Sequence, residues 1–176
     1  MRINSGKHRG KVIIAPSSKH VRPTTDRAKE SLFNILSNEY YLDEVSFLDA
    51  FAGWGNITYE MGSRGCENIT CIDLNGKSTR FIEKTIEELG YEGVDVIKGN
   101  AMKYLEQTKK PFDIIFADPP YEMPNIHKIP EMVFDNNLLN ENGMLVVEHA
   151  SFNQMPMHPR KRDTRKYGHT SFTFYQ

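Results

Sequence analysis

Four consecutive residues, Asp118-Pro119-Pro120-Tyr121, have the makings of a site that alkylates an exocyclic amino group. Such a nitrogen is a poor nucleophile because its lone pair is delocalised into the base ring. A carboxylate and a backbone carbonyl that accept its two hydrogens favour the pyramidal, reactive geometry. They also stabilise the positive charge that develops on attack. Asp118 offers the carboxylate. Pro119 has no N–H, so it presents only its carbonyl there, and the proline pair stiffens the loop. Tyr121 offers a flat face on which an extruded base can stack. Asp-Pro-Pro also occurs as a plain turn after a buried strand, so its neighbours decide its meaning.

Two further spots supply that context. In Asp49-Ala50-Phe51-Ala52-Gly53-Trp54-Gly55 the glycines let the backbone turn and approach a ligand at a helix N-terminus. Asp73 follows Gly53 by 20 residues, where an acid typically binds ribose hydroxyls. Each has a purely structural alternative, a tight strand-to-helix turn or a helix-capping carboxylate. Together they indicate a nucleoside-containing cofactor. Thr58 stands where the dinucleotide pattern Gly-x-Gly-x-x-Gly has its third glycine. Asp-Pro-Pro-Tyr has no purpose in hydride transfer either, so NAD is disfavoured.

These spots need elements that deliver them to one place. Apolar, β-prone runs at 45–50, 68–73, 94–98, 113–117 and 143–149 alternate with helical patterns. That rhythm predicts a mostly parallel, twisted sheet covered on both faces, with ligands at the carboxyl ends of its strands. All three spots fall at such ends. A helix is predicted from about Thr25 to Asn38, capped by Thr24 or Thr25. Gly90 sits where a C-cap glycine belongs. Residues 164–168 and 171–175 are predicted to pair as an antiparallel hairpin around Gly168. The division expected is a basic N-terminal extension, 1–24, before a Rossmann-like α/β domain, 25–176.

The net charge of −1 over 176 residues hides an asymmetry. Residues 1–30 carry a net +6, the body to residue 157 carries −11, and the tail from His158 carries +4. Basic ends around an acidic body point to a polyanion gripped at the edges of the domain. No apolar run approaches the roughly 20 residues of a membrane span, and the start lacks a signal-peptide pattern. Two cysteines, Cys66 and Cys71, make no disulfide framework and read as packing residues. The histidines lack ligand spacing, so no metal is assigned. A cytoplasmic location and a monomeric state are expected.

The sequence resembles the RsmD family of class I S-adenosylmethionine-dependent methyltransferases, which methylate N2 of a guanine in 16S ribosomal RNA. The likeness runs over nearly the whole chain. It includes the opening MRI-x-S-G-x-x-R-G, then R-P-T-T-D-R-x-K-E-S-L-F-N at 22–34, the glycine loop and S-R-G at 63–65. It continues through Asp73, Asn100-Ala101, D-P-P-Y at 118–121, V-E-H at 147–149 and a closing Y-G-x-T at 167–170. Asp-Pro-Pro-Tyr is shared by many amino-methyltransferases; the stretch at 22–34 is far more specific. The resemblance implies S-adenosylmethionine as cofactor, with Asp49, Ala52, Gly53 and Gly55 along its methionine part. It places Asp73 on the ribose, Asn100 and Ala101 at the adenine edge, and Asp118, Pro119 and Tyr121 around the guanine amino group, with Asp118 also counted among the cofactor-binding residues.

Two positions depart from the family pattern, Trp54 in place of a small residue and Thr58 in place of glycine. Trp54 is expected to pack beneath the loop; narrowing the cofactor pocket is the alternative. Arg2, Lys7, Arg9, Lys11 and Arg22 are the candidate RNA-binding residues, and Glu148 with His149 end a strand near the cleft. Rival readings are a DNA adenine or cytosine amino-methyltransferase and a non-catalytic RNA-binding or ribosome-assembly module. The chain leaves little room for a separate DNA-reading domain, and intact acids at Asp73 and Asp118 argue against loss of chemistry.

Overall fold

The computed structural model describes residues 1–16 and 25–176. Its elements are α1 (Asp26–Glu39), β1 (Phe47–Asp49), α2 (Asn56–Ser63), β2 (Ile69–Asp73), α3 (Gly76–Leu89), β3 (Val94–Lys98), α4 (Ala101–Gln107), β4 (Phe112–Ala117), α5 (Lys128–Asp135), β5 (Leu139–Ala150), β6 (Lys161–Tyr167) and β7 (Thr170–Tyr175). The strands form one sheet in the order β3-β2-β1-β4-β5-β7-β6. The first five are parallel, and β7 runs antiparallel between β5 and β6. This is the α/β architecture expected, with its C-terminal hairpin. The chain reverses its winding between β1 and β4, and such a switch point is where open parallel sheets hold ligands.

Side-chain alternation sorts the core into two layers. Phe47, Ile69, Ile114, Phe116, Met144 and Val146 meet Leu32, Phe33 and Leu36 of α1 and Ile57 and Met61 of α2. On the opposite face Leu48, Ile72, Ile115, Leu145 and Val147 meet Leu105 of α4 and Ile129 and Val133 of α5. The helix ends obey local chemistry. The Thr25 hydroxyl accepts the Ala28 N–H, and Gly90 closes α3 at φ 64°.

The structure departs from the sequence expectations at several points: β1 is shorter than 45–50, and β6 begins at Lys161 rather than at 164. β5 begins at Leu139 rather than near Gly143, with a register irregularity against β4 between Phe112 and Ile114. Asn142 sits there at φ 60°, a conformation that asparagine tolerates. The N-terminal residues, in turn, are no loose tail. Residues 1–13 fold back on themselves through an Arg2–Val12 bridge, and Ile3 and Ile13 are buried with Tyr59, Cys71, Ile82 and Leu89.

A buried ion cluster fastens this turn to the domain. Glu60 accepts the N–H groups of Asn4 and Ser5, at 2.8 and 3.1 Å, and the Arg64 Nε–H at 2.9 Å. Lys29 Nζ lies 3.3 Å from Glu60. It donates to the Arg2 carbonyl and, at 2.9 Å, to Asn56 Oδ1. Gly6, at φ 79°, lies so close to the Ser63 carbonyl that a Cβ would sit 1.8 Å from its oxygen. Removing one partner from a buried pair of this kind costs about 3–5 kcal/mol. Residues 1–13 thus belong to the packed structure.

Candidate active site

The sheet register brings four carboxylates to one end of the molecule. Asp49 pairs with Cys71 on β2 and with Phe116 on β4, and Phe116 pairs with Val146 on β5. Asp73, Asp118 and Glu148 each lie two residues further along, so all four acids gather at neighbouring carboxyl ends. Their settings differ.

Around the glycine loop the acids have donors from the protein. The Asp73 carboxylate accepts the Gly53 N–H at 2.9 Å and the Asn75 N–H at 2.8 Å, which fixes the glycine loop across the ends of β1 and β2. Burial raises its pKa, and those two hydrogen bonds work against the rise. Gly53 and Gly55 both hold positive φ, 54° and 85°. A Cβ on Gly55 would meet the Tyr59 ring at 2.6 Å, so only glycine serves there. Asp49 is 1% exposed. Its carboxylate accepts the Thr58 hydroxyl at 2.8 Å. Burial pushes its pKa up to about 7; the Thr58 bond opposes that shift and Asp73 adds to it. Thr58 therefore has a task that a glycine could not perform. Trp54 is buried edge-on against Phe81, with ring centroids 5.4 Å apart. Asn100 caps α4 through the Lys103 N–H and stands exposed at the end of β3, beside buried Ala101. The Gly99 N–H donates to the Asp73 carbonyl, tying that corner to the end of β2.

At the ends of β4 and β5 the acids crowd one another. Asp118 is half-buried at the end of β4 and Glu148 is buried beside it. Desolvation first, then the charges of Glu148 and Asp49, push the Asp118 pKa well above the usual carboxylate range. Pro119 is buried and Pro120 exposed, and the Met123 N–H donates to the Pro120 carbonyl to close the turn. The hydroxyls of Tyr121 and Thr170 share a 2.8 Å hydrogen bond. That bond holds the tyrosine across the end of β5 toward β7.

Glu148 and His149, adjacent in sequence, fall on opposite faces. His149 is buried, with Nδ1 3.0 Å from the Ala150 carbonyl and Nε2 2.8 Å from the Thr173 hydroxyl. Burial lowers its pKa, and its position is that of a core residue. Arg2, Lys7, Arg9 and Lys11 are exposed on the N-terminal turn. Arg22 and Thr24 lie outside the described residues. Sequence reasoning missed Thr58 as the partner of Asp49, Thr170 as the anchor of Tyr121, and the Lys29–Glu60 pair. Lys29 alone carried a signal, a charge on the apolar face that includes Ala28, Leu32 and Phe33.

With this geometry in hand, the chain can be compared with known proteins. The family described as "Conserved hypothetical protein 95" matches residues 1–176. "Ribosomal RNA small subunit methyltransferase D" of Escherichia coli K12 is 30% identical, with 100% of this chain and 89% of the relative covered. "Putative rRNA methyltransferase YlbH" of Bacillus subtilis is 31% identical, covering 89% and 86%. Among solved structures, "Putative methyltransferase yhhF" from Escherichia coli superposes with a TM-score of 0.88 at 28% identity, over 99% of this chain and 96% of that one. The fold is that of the class I methyltransferases.

Proposed function

The chain belongs to the RsmD family of methyltransferases, and from that premise we propose that it methylates the exocyclic N2 of a guanine in small-subunit ribosomal RNA, using S-adenosylmethionine. One observation carries the reading. Asp118-Pro119-Pro120-Tyr121 stands at the end of β4, across the switch point from the glycine loop of β1.

The residues present suit the cofactor. The loop at Gly53–Gly55 has the positive-φ backbone that lets a ligand approach the start of α2. Asp73 lies at the next strand end and keeps lone pairs for ribose hydroxyls after accepting its two backbone N–H groups. Asn100 and Ala101 border the place for an adenine edge. S-adenosylmethionine, when bound, supplies an electrophilic methyl group on a sulfonium. The protein does the rest by placement. Asp118 and the Pro119 carbonyl accept the two amino hydrogens of the guanine, and Tyr121, held by Thr170, supports the ring. Attack by N2 is direct, so proximity and charge stabilisation suffice without a covalent enzyme intermediate. The raised pKa of Asp118 makes it a willing acceptor for the proton that the methylated nitrogen gives up. Arg2, Lys7, Arg9 and Lys11 hold RNA phosphates, which orients the substrate without reading its sequence. Arg22 joins them in this proposal.

Transfer of labelled methyl from S-adenosylmethionine is the test, with small-subunit rRNA, large-subunit rRNA and duplex DNA offered separately. The expected outcome is incorporation into the small-subunit RNA. Incorporation into DNA alone, or none into any of the three, would overturn the reading.

A further inference from the structure

The RNA contacts named so far lie on the N-terminal turn, yet an aromatic ring stands exposed on the other side of the acceptor loop. Phe152 is 82% exposed in the turn after β5, which the Asn153 N–H closes by donating to the Ala150 carbonyl at 2.9 Å. Its neighbour Ser151 is locked to the β6–β7 turn. The Ser151 N–H donates to the His169 carbonyl at 2.9 Å and its hydroxyl to the Gly168 carbonyl at 3.1 Å. The Ser171 hydroxyl donates to Ser151 Oγ at 3.1 Å. Ala150 pairs in register with Thr170, and Thr170 is the residue that holds Tyr121. The end of β5, the β6–β7 turn and the acceptor loop therefore form one fixed rim, with Phe152 upon it.

A lone surface phenylalanine is ordinary; the setting makes this one informative. Its chain neighbours Ser151, Asn153 and Gln154 are polar, and Met157, 91% exposed, stands five residues on in the same loop. Asn153, Gln154 and His169 reach solvent, and Lys166 is exposed on β6 in register with Ser171. The rim thus carries an exposed aromatic ring and, in register with Ser171, an exposed ammonium. That combination fits one nucleotide, with a base on the ring and a phosphate on the ammonium. Chemistry on a base also requires it to leave its stack, which strips its neighbour of a stacking partner.

We propose that this rim is a second RNA-binding surface, where the nucleotide flanking the target guanine stacks its base on Phe152 and sets its phosphate against Lys166. The proposal rests on the reading that the substrate is RNA. It adds to that reading a fixed contact beside the reacting base, on the opposite side from the N-terminal turn.

The test measures affinity for naked small-subunit rRNA and for the assembled subunit, with F152A, F152L and F152W beside the unaltered protein. Stacking of one base is worth about 1–3 kcal/mol, a factor of about 5–150. F152A and F152L should both lose binding within that range on naked RNA, while F152W keeps it, because leucine retains the apolar surface but not the flat face. K166E should reduce the salt dependence of binding by about one counterion. Cofactor affinity and melting temperature should not change. Full affinity in F152L, a loss confined to the assembled subunit, or no loss in F152A would each overturn the proposal, the first two by pointing to a protein contact. Binding is read apart from methyl transfer. Failure of the unaltered protein to methylate RNA would thus count against the function proposed above, while the F152A and F152L affinities would still decide this surface.

Discussion

The cofactor end and the acceptor end of this sheet use the same residue type in opposite ways. Asp73 and Asp49 each meet donors from the protein, the Gly53 and Asn75 N–H groups for one and the Thr58 hydroxyl for the other. Asp118 sits instead beside Glu148 and Asp49, whose charges add to its burial and favour its protonated form. Satisfied carboxylates fix a backbone; under the proposed function, a crowded one awaits donors that arrive with the substrate. In the proposed function, four acids at neighbouring strand ends serve as two pieces of equipment, a rigid cradle and a responsive acceptor.

The sharpest way to break the comparison is to remove the acceptor alone. Asp118→Ala should lower single-turnover methylation by about 10²–10³-fold, as loss of a preorganised group does, with cofactor affinity by calorimetry nearly unchanged. The pH profile of kcat/KM should rise with pH through an acid limb above the ordinary carboxylate range, because only ionised Asp118 accepts an amino hydrogen. Glu148→Gln removes a repelling charge, so it should move that limb to lower pH.

Altering the cradle should give the reverse pattern. Asp73→Ala should weaken S-adenosylmethionine binding by about 1.5–3 kcal/mol, the usual worth of hydrogen bonds to a charged group, measured by the same calorimetry. Equal affinity in the variant would remove Asp73 from the ribose.

Asp49 tests whether burial in the cradle has a cost. Its folded pKa, about 7, lies above the ordinary value near 4. Folded protein thus holds the proton more tightly than unfolded chain, and this group's stabilising contribution is lost as pH rises from about 4 to about 7. Asp49→Asn removes that loss while keeping an acceptor for Thr58. Thermal melts should show the variant gaining on the unaltered protein between pH 5 and pH 8, by about 2–3 kcal/mol. A gap independent of pH would contradict the assignment.

The smallest effect belongs to the N-terminal turn. Reversing Arg9 and Lys11 to Glu should flatten the slope of log RNA affinity against log salt by about 0.7–0.9 per lost phosphate contact, with cofactor binding intact. Point changes are the right probe here. Deleting residues 1–13 would uncover Ile3 and Ile13 and strand the Glu60 carboxylate, mixing lost binding with lost stability.

The cradle and the acceptor loop were legible because their chemistry is local. Glycines at 53 and 55, Asp73 and the proline pair at 119–120 each mark a strand end within a few residues of sequence. The parallel strands were legible from apolar runs, apart from the start of β5, where polar Asn140-Glu141-Asn142 continues the strand through its irregular pairing, and polar β6 begins three residues before its expected start. Long-range partners left no such mark. Nothing near Glu60 announces that it will receive Asn4 and Ser5, 56 and 55 residues away. Tyr121 finds Thr170 across 49 residues. The N-terminal basic run reads as an extension because charge dominates its composition, and the burial of Ile3 and Ile13 leaves no mark in that composition.

The identity of the methylated nucleoside tests the central claim most directly. Small-subunit rRNA treated with the protein and S-adenosylmethionine would be digested to nucleosides and resolved by mass and retention against standards. The account predicts N2-methylguanosine from the unaltered protein and its near-absence with Asp118→Ala. A methyl group on adenine or cytosine, or undiminished N2-methylguanosine from the variant, would contradict it.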